Sequence, residues 1–167
     1  MPFREEMLVS LASQPQAPGN ESSSVLLDES LWPLVVVRIG RTVTTEDFEA
    51  YLSTRSAYLR REEPHLCIFD ARQVHMPTAQ MRQRYTDWLR DNALQLRHWM
   101  LGSAYIIESP AVRMMMSVIR HFAAMTTPFV VTATLTPAVS WAAERFQEAG
   151  LTQAATRIRV HYALPSS

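Results

Sequence analysis

Apolar positions along this chain follow two periods, and the switches between them divide it into strands and helices. Val25-Leu26-Leu27 and the run from Leu34 to Ile39 are short apolar stretches, separated by Asp28-Glu29-Ser30 and closed by Gly40. They predict an antiparallel hairpin. The period then lengthens: Phe48, Tyr51, Leu52 and Leu59 keep helical spacing until Pro64. Ahead of them Thr44-Thr45-Glu46-Asp47 is a helix start, a threonine cap with acids that suit the N-terminal dipole. Leu66-Cys67-Ile68-Phe69, closed by Asp70, predicts a buried strand. A helix from Thr78 to about Leu96 follows, with Met81, Tyr85, Trp88, Leu89 and Leu96 on one face. Residues 102–107 predict another strand, and Ser109-Pro110 opens a helix to about Met125, serine as cap and proline at the first helical position. Residues 129–133 are the next strand. Thr136-Pro137 repeats the start signal, and Gly150 supplies a left-handed cap for the last helix. The order β-β-α-β-α-β-α-β-α predicts an α/β domain, with a mainly parallel sheet, an N-terminal antiparallel hairpin and covering helices.

The flanks carry weaker patterns. Residues 3–12 place Phe3, Met7, Leu8 and Leu11 on one helical face, and residues 14–24 are rich in Pro, Gly, Ser and Asn, as linkers are. The expected organisation is an arm and linker over 1–23 and a domain over 24–152. Residues 153–167 are expected as an edge strand or extended tail, because Arg157 to Tyr162 alternates basic with apolar residues.

Composition narrows the possible jobs. The chain has 167 residues, enough for one domain with a substantial core. Its 16 basic residues are all arginine and are balanced by 16 acids, so the formal net charge is zero. Nucleic-acid binding draws on a surplus of basic charge, and none is expected. No apolar run approaches the roughly 20 residues that span a bilayer, and Arg4-Glu5-Glu6 ahead of few apolar residues is a poor secretory signal. A cytoplasmic protein is expected.

Chemistry at a single centre is hard to assemble from these residues. Cys67 is the one cysteine and falls mid-strand, where a thiol is inert. His65, His75, His98, His121 and His161 form no HxH or HxxxH pair, and no metal site or cofactor is expected. There is no GxSxG elbow, and the four glycines do not cluster into a phosphate loop. Asp70 ends a strand where Glu108, Ser109 and Thr132 could converge on it, as carboxylates do in many α/β enzymes. A turn-stabilising role, with Asp70 accepting backbone hydrogen bonds, accounts for it more simply.

The element order over residues 25–151, with the strand end Ile68-Phe69-Asp70, resembles the STAS-like fold of anti-sigma-factor antagonists and their relatives. In those proteins a helix opens shortly after this strand on an Asp-Ser-Ser-Gly-like phosphorylation motif. Here Pro77-Thr78-Ala79-Gln80 stands in its place, with alanine about where the phosphorylated serine would lie. The resemblance implies a divergent branch without the phosphoswitch, and an action in bacterial signalling or regulation by docking to proteins, with no chemistry of its own. The turn carrying Asp70, Arg72, His75 and Thr78 is then a candidate contact or regulatory surface, with Thr78 read as a helix cap.

The helix after Ser109 is the other candidate. Val112, Met115, Met116, Ile119, Phe122 and Ala123 form its expected core stripe, while Ala111, Met114, Val118 and Met125 add a second apolar face. Arg113, Ser117, Arg120 and His121 are left as a narrow polar strip. Such a helix is either sunk between neighbours or offers a surface to a partner protein or a second copy, with Met114, Val118, His121 and Met125 as its contacts. The rival expectation is a small-ligand binder or cryptic enzyme, with a pocket near Asp70, His75, Glu108 and Thr132 at the C-terminal edge of the sheet.

Overall fold

The computed structural model describes residues 24–165. Five strands form one sheet in the order of the chain: β1 (Val25–Leu31), β2 (Leu34–Ile39), β3 (His65–Asp70), β4 (Met100–Ile106) and β5 (Phe129–Thr132). β1 and β2 pair antiparallel, and the remaining pairs are parallel. The α/β class and the N-terminal hairpin are therefore as the pattern predicts. Six helices complete the described domain: α1 (Thr45–Arg60), α2 (Ala79–Asp91), α3 (Ala93–Trp99), α4 (Pro110–Phe122), α5 (Leu135–Glu148) and α6 (Thr152–His161). The candidate arm at 1–23 lies outside the described residues.

Strand parity decides which layer each side chain enters. Leu34, Val36, Leu66, Ile68, Ala104 and Ile106 pack against α5 and α6, while Val35, Val37, Cys67, Phe69 and Tyr105 pack against the helices between the strands. Crossovers that step the same way along a sheet place their helices on one face when each is right-handed. α1 to α4 accordingly share a face. α5 has no further strand to reach, so it and α6 cover the other side. Gly102 permits that cover: a Cβ there would fall 2.5 Å from Cη2 of Trp141 on α5.

Most helix signals work locally; the exception is Thr136-Pro137, which falls inside α5 because that helix begins at Leu135 with Thr134 at its N-cap. Thr44, Thr78 and Ser109 each accept a hydrogen bond from the backbone amide three residues on, and Pro110 sits at the first turn of α4. Gly150 takes φ 79° behind α5, with Leu151 N–H donating to Phe146 O at 2.9 Å. α4 ends in the same way without a glycine. Ala124 adopts φ 50°, and Met125 N–H reaches Arg120 O at 3.0 Å.

Several expectations need correction. The predicted helix to Leu96 breaks at Asn92, giving α2 and α3; the Asn92 side chain donates back to Trp88 O at 2.8 Å and competes with the helical ladder. Residues 152–161 are a helix and not an edge strand or tail. The alternation over Arg157 to Tyr162 carries only three apolar residues, and burial of Ala154, Ala155 and Ile158 on one helical face outweighs it. α4 stops at Phe122, so Met125 leaves the helix axis and packs, half-buried, against the core.

Candidate functional site

The turn after β3 is closed on itself. Asp70 accepts from Arg72 Nε at 3.0 Å and Nη2 at 2.8 Å, and from the Arg72 amide at 3.3 Å. The Arg72 side chain, bonded to this carboxylate, holds it below the usual carboxylate range. His75 is exposed, and its amide donates to Arg41 O at 2.9 Å, tying this turn to the loop after β2. Thr78 Oγ1 caps α2 by accepting from Met81 N–H at 3.2 Å. Asp70 is a turn stabiliser here, and its arginine partner accounts for more of that than the expected backbone bonds.

The other polar residues expected near Asp70 are engaged or exposed. Thr132 spends its hydroxyl on Thr134 O at 2.8 Å, Ser109 caps α4, and Glu108 is exposed. Among the described residues, no group of three histidines, cysteines or acids is placed to hold a metal ion. Nor is any helix there long and apolar enough to cross a membrane.

A pocket does exist at this end of the sheet, but with a different lining from the one expected. It is a cavity of about 100 Å³ between the sheet and α1, α2 and α4, and none of Asp70, His75, Glu108 and Thr132 lines it. Ile39, Phe69 and Tyr105 form its floor, Phe48 and Tyr51 one wall, and Met81, Met115 and Met116 the opposite one. The rings of Tyr51, Tyr85 and Tyr105 face the space while their hydroxyls are engaged behind it. Arg55 Nη1 donates to Tyr51 Oη and Tyr85 Oη, each at 3.2 Å, and Arg120 Nη1 donates to Tyr105 Oη at 3.1 Å. Burial pushes all three phenols above their ordinary range, so they remain neutral. Water needs two to four polar partners to occupy a cavity, and this lining is carbon and sulfur almost throughout.

The two arginines behind the wall are the functional-looking residues that the pattern did not single out. Arg55 is buried, with its guanidinium 5.0 Å from the Phe69 ring centre and 4.7 Å from that of Trp88. Arg120 is also buried. It lies 3.9 Å over Phe129 and donates to Thr127 O at 2.7 Å. Phe69 and Tyr105 stack between them at 5.3 Å. The signal for Arg55 was present in the sequence, since it falls on the apolar stripe Tyr51, Leu52, Tyr58 and Leu59 of α1. Arg120 was expected on the polar strip; it is buried, with its guanidinium engaged by Tyr105, Thr127 O and the Phe129 ring. Phe122, expected in the core stripe, is turned out to 60% exposure.

That exchange shapes the remaining feature, an open groove between α2 and α4. Met76, Met114, Val118 and Phe122 form its apolar rim, all at least 45% exposed. Its charged lining residues are Arg82 and Arg90, and Arg90 also caps α4 by donating to Phe122 O at 2.7 Å. Met114 and Val118 are thus brought together as the helix period predicts. His121 is exposed but outside the groove, and Met125 is in the core. Arg82, Met115 and Ile119 line both the groove and the cavity, forming a wall one side chain thick.

No protein-family model matches this chain, and no curated protein matches it either.

Proposed function

We propose that the chain is a non-enzymatic, STAS-like protein-interaction module whose docking surface is the α2/α4 groove. The observation that carries the reading is the exposed apolar rim formed by Met114, Val118 and Phe122 on α4 and by Met76 in the turn before α2. Apolar side chains gathered in a concave surface fit a helix laid along it. The charged residues of the lining are both arginines, so the partner that fits is an amphipathic helix with carboxylates flanking its apolar ridge. A two-fold dimer through the same surface would set arginine against arginine, which disfavours a second copy as occupant. The order of strands and helices supports the STAS-like part of the reading, and the self-contained Asp70–Arg72 turn supports a role without chemistry.

The test is co-purification from the native cell with wild type and with Met114→Glu/Val118→Glu, followed by titration of the purified partner. A partner whose binding segment is an acidic amphipathic helix should bind wild type, weaken as salt rises, and fail to bind the double variant. Binding that survives the double substitution refutes the groove. Light scattering on both proteins decides self-association: a monomer in each case is expected, and a wild-type dimer dispersed by the substitutions would replace the partner helix with a second copy.

A further inference from the structure

We propose that the cavity beneath the β3–α2 turn is a binding site for a small, uncharged, apolar ligand about the size of one aromatic ring. This goes beyond docking at the groove and stands on separate observations. First, the lining is almost free of polar atoms although three tyrosines contribute to it, because Arg55 and Arg120 hold their hydroxyls away from the space. Water gains little there, whereas an apolar molecule meets carbon on every side. Second, the size is in the right range. An engineered apolar cavity of about 150 Å³ takes up benzene; this one measures about 100 Å³, and Met81, Met115 and Met116 in its wall can yield by changing rotamer. Third, there is a way in. The pocket is partly open, and Val43, Val74 and Pro77 in its lining are themselves partly exposed and belong to loops after β2 and β3, not to the packed helices. The backbone bond from His75 to Arg41 joins those loops.

The chemistry excludes as well as admits. A charged or strongly hydrogen-bonding ligand would lose its hydration with nothing to replace it. Benzene and n-hexane should therefore bind, and phenol, of nearly the same shape, should bind more weakly.

The experiment uses the full chain with these three probes. Benzene and n-hexane should raise the Tm of wild type by a few degrees, as expected for a ligand that binds only the folded state, and phenol by less. Val43→Phe and Val74→Phe place a ring in the space from the loop side; both should fold, by circular dichroism, and lose most of the response. Methyl NMR of methionine-labelled protein locates the site whether or not those variants fold. Benzene should shift Met81 and Met116, which line the cavity, and leave Met114 on the groove unchanged. No Tm response up to the solubility limit of benzene, an undiminished response in both filled variants, or shifts confined to Met114 would each overturn the proposal. Met114→Glu/Val118→Glu should keep the full benzene response, so failure at the cavity and failure at the groove are separate results.

Discussion

On one side of the sheet, Leu34, Val36, Leu66, Ile68, Ala104 and Ile106 meet Ala138, Ala142, Ala143, Ala154 and Ala155, with Phe146 filling the centre at 0% exposure. The alanines of α5 and α6, with Gly102 and Ala104 on the sheet, let the helices approach closely, and Trp141 occupies the space over Gly102. On the other side the same strands send Val35, Cys67, Phe69 and Tyr105 into a layer that contains two buried arginines, three neutral phenols and an apolar void. The first face resembles the interior of a protein selected for density. The second holds a partly open apolar pocket and desolvated charge, and desolvated charge costs stability. Where a layer departs from dense apolar packing in this way, it is the better place to look for function.

Substitutions can break that contrast, and the largest effect belongs to the dense face. Phe146→Ala should lower unfolding free energy by about 3–5 kcal/mol in urea titrations, because a closely packed layer cannot collapse around the missing ring. A loss below about 2 kcal/mol would mean that this face yields as readily as the other. Arg55→Ala is next, at about 2–3 kcal/mol: it enlarges the cavity and leaves the Tyr51 and Tyr85 hydroxyls without their donor. Arg55→Met keeps the volume and removes the desolvated charge, so it should cost clearly less than alanine. Equal costs for the two would place the value of Arg55 in its charge over Phe69 and Trp88.

The smallest effect is on pH dependence and sharpens the comparison at the rim. His65 is buried at the start of β3, stacked on Trp32 with ring centres 5.2 Å apart, and its Nδ1 lies 2.9 Å from Glu63 O, which it meets as donor. Burial lowers its pKa in the folded protein. The unfolded chain therefore takes up a proton first, and stability held at neutral pH should fall as pH drops through about 6.5, the unfolded histidine value. The carboxylate of Asp70, also lowered, loses its contribution only at more acidic pH. His65→Gln should flatten urea midpoints measured between about pH 7 and 5, leaving the acid limb below. A slope that persists in the variant would assign the titration elsewhere.

Much of this architecture was legible along the chain because strands and helices announce themselves locally. Unbroken apolar runs such as Val35-Val36-Val37 marked the strands, and Thr44, Thr78, Ser109 and Gly150 mark termini through bonds to their own neighbours. The misreading of Arg157 to Tyr162 has the same root. Three apolar residues in so short a stretch do not define a period, and the alanines that anchor α6 lie outside the stretch that alternates. The groove was half legible: Met114 and Val118 follow from helical spacing, whereas the exchange of Arg120 for Phe122 depends on the partners that Tyr105, Thr127 and Phe129 supply to the arginine. The cavity left no local trace. A void is defined by what several distant segments fail to fill, and Val25, Met81 and Met116 share no pattern that would bring them together.

The wall shared by cavity and groove has a thermodynamic consequence. Arg82, Met115 and Ile119 cannot adjust to an occupant on one side without altering the surface offered on the other. If an apolar guest changes the affinity of the groove for its partner by some factor, that partner must change the affinity of the cavity for the guest by the same factor. The groove would then report, through one layer of side chains, whether a small hydrophobic molecule is present in the cavity.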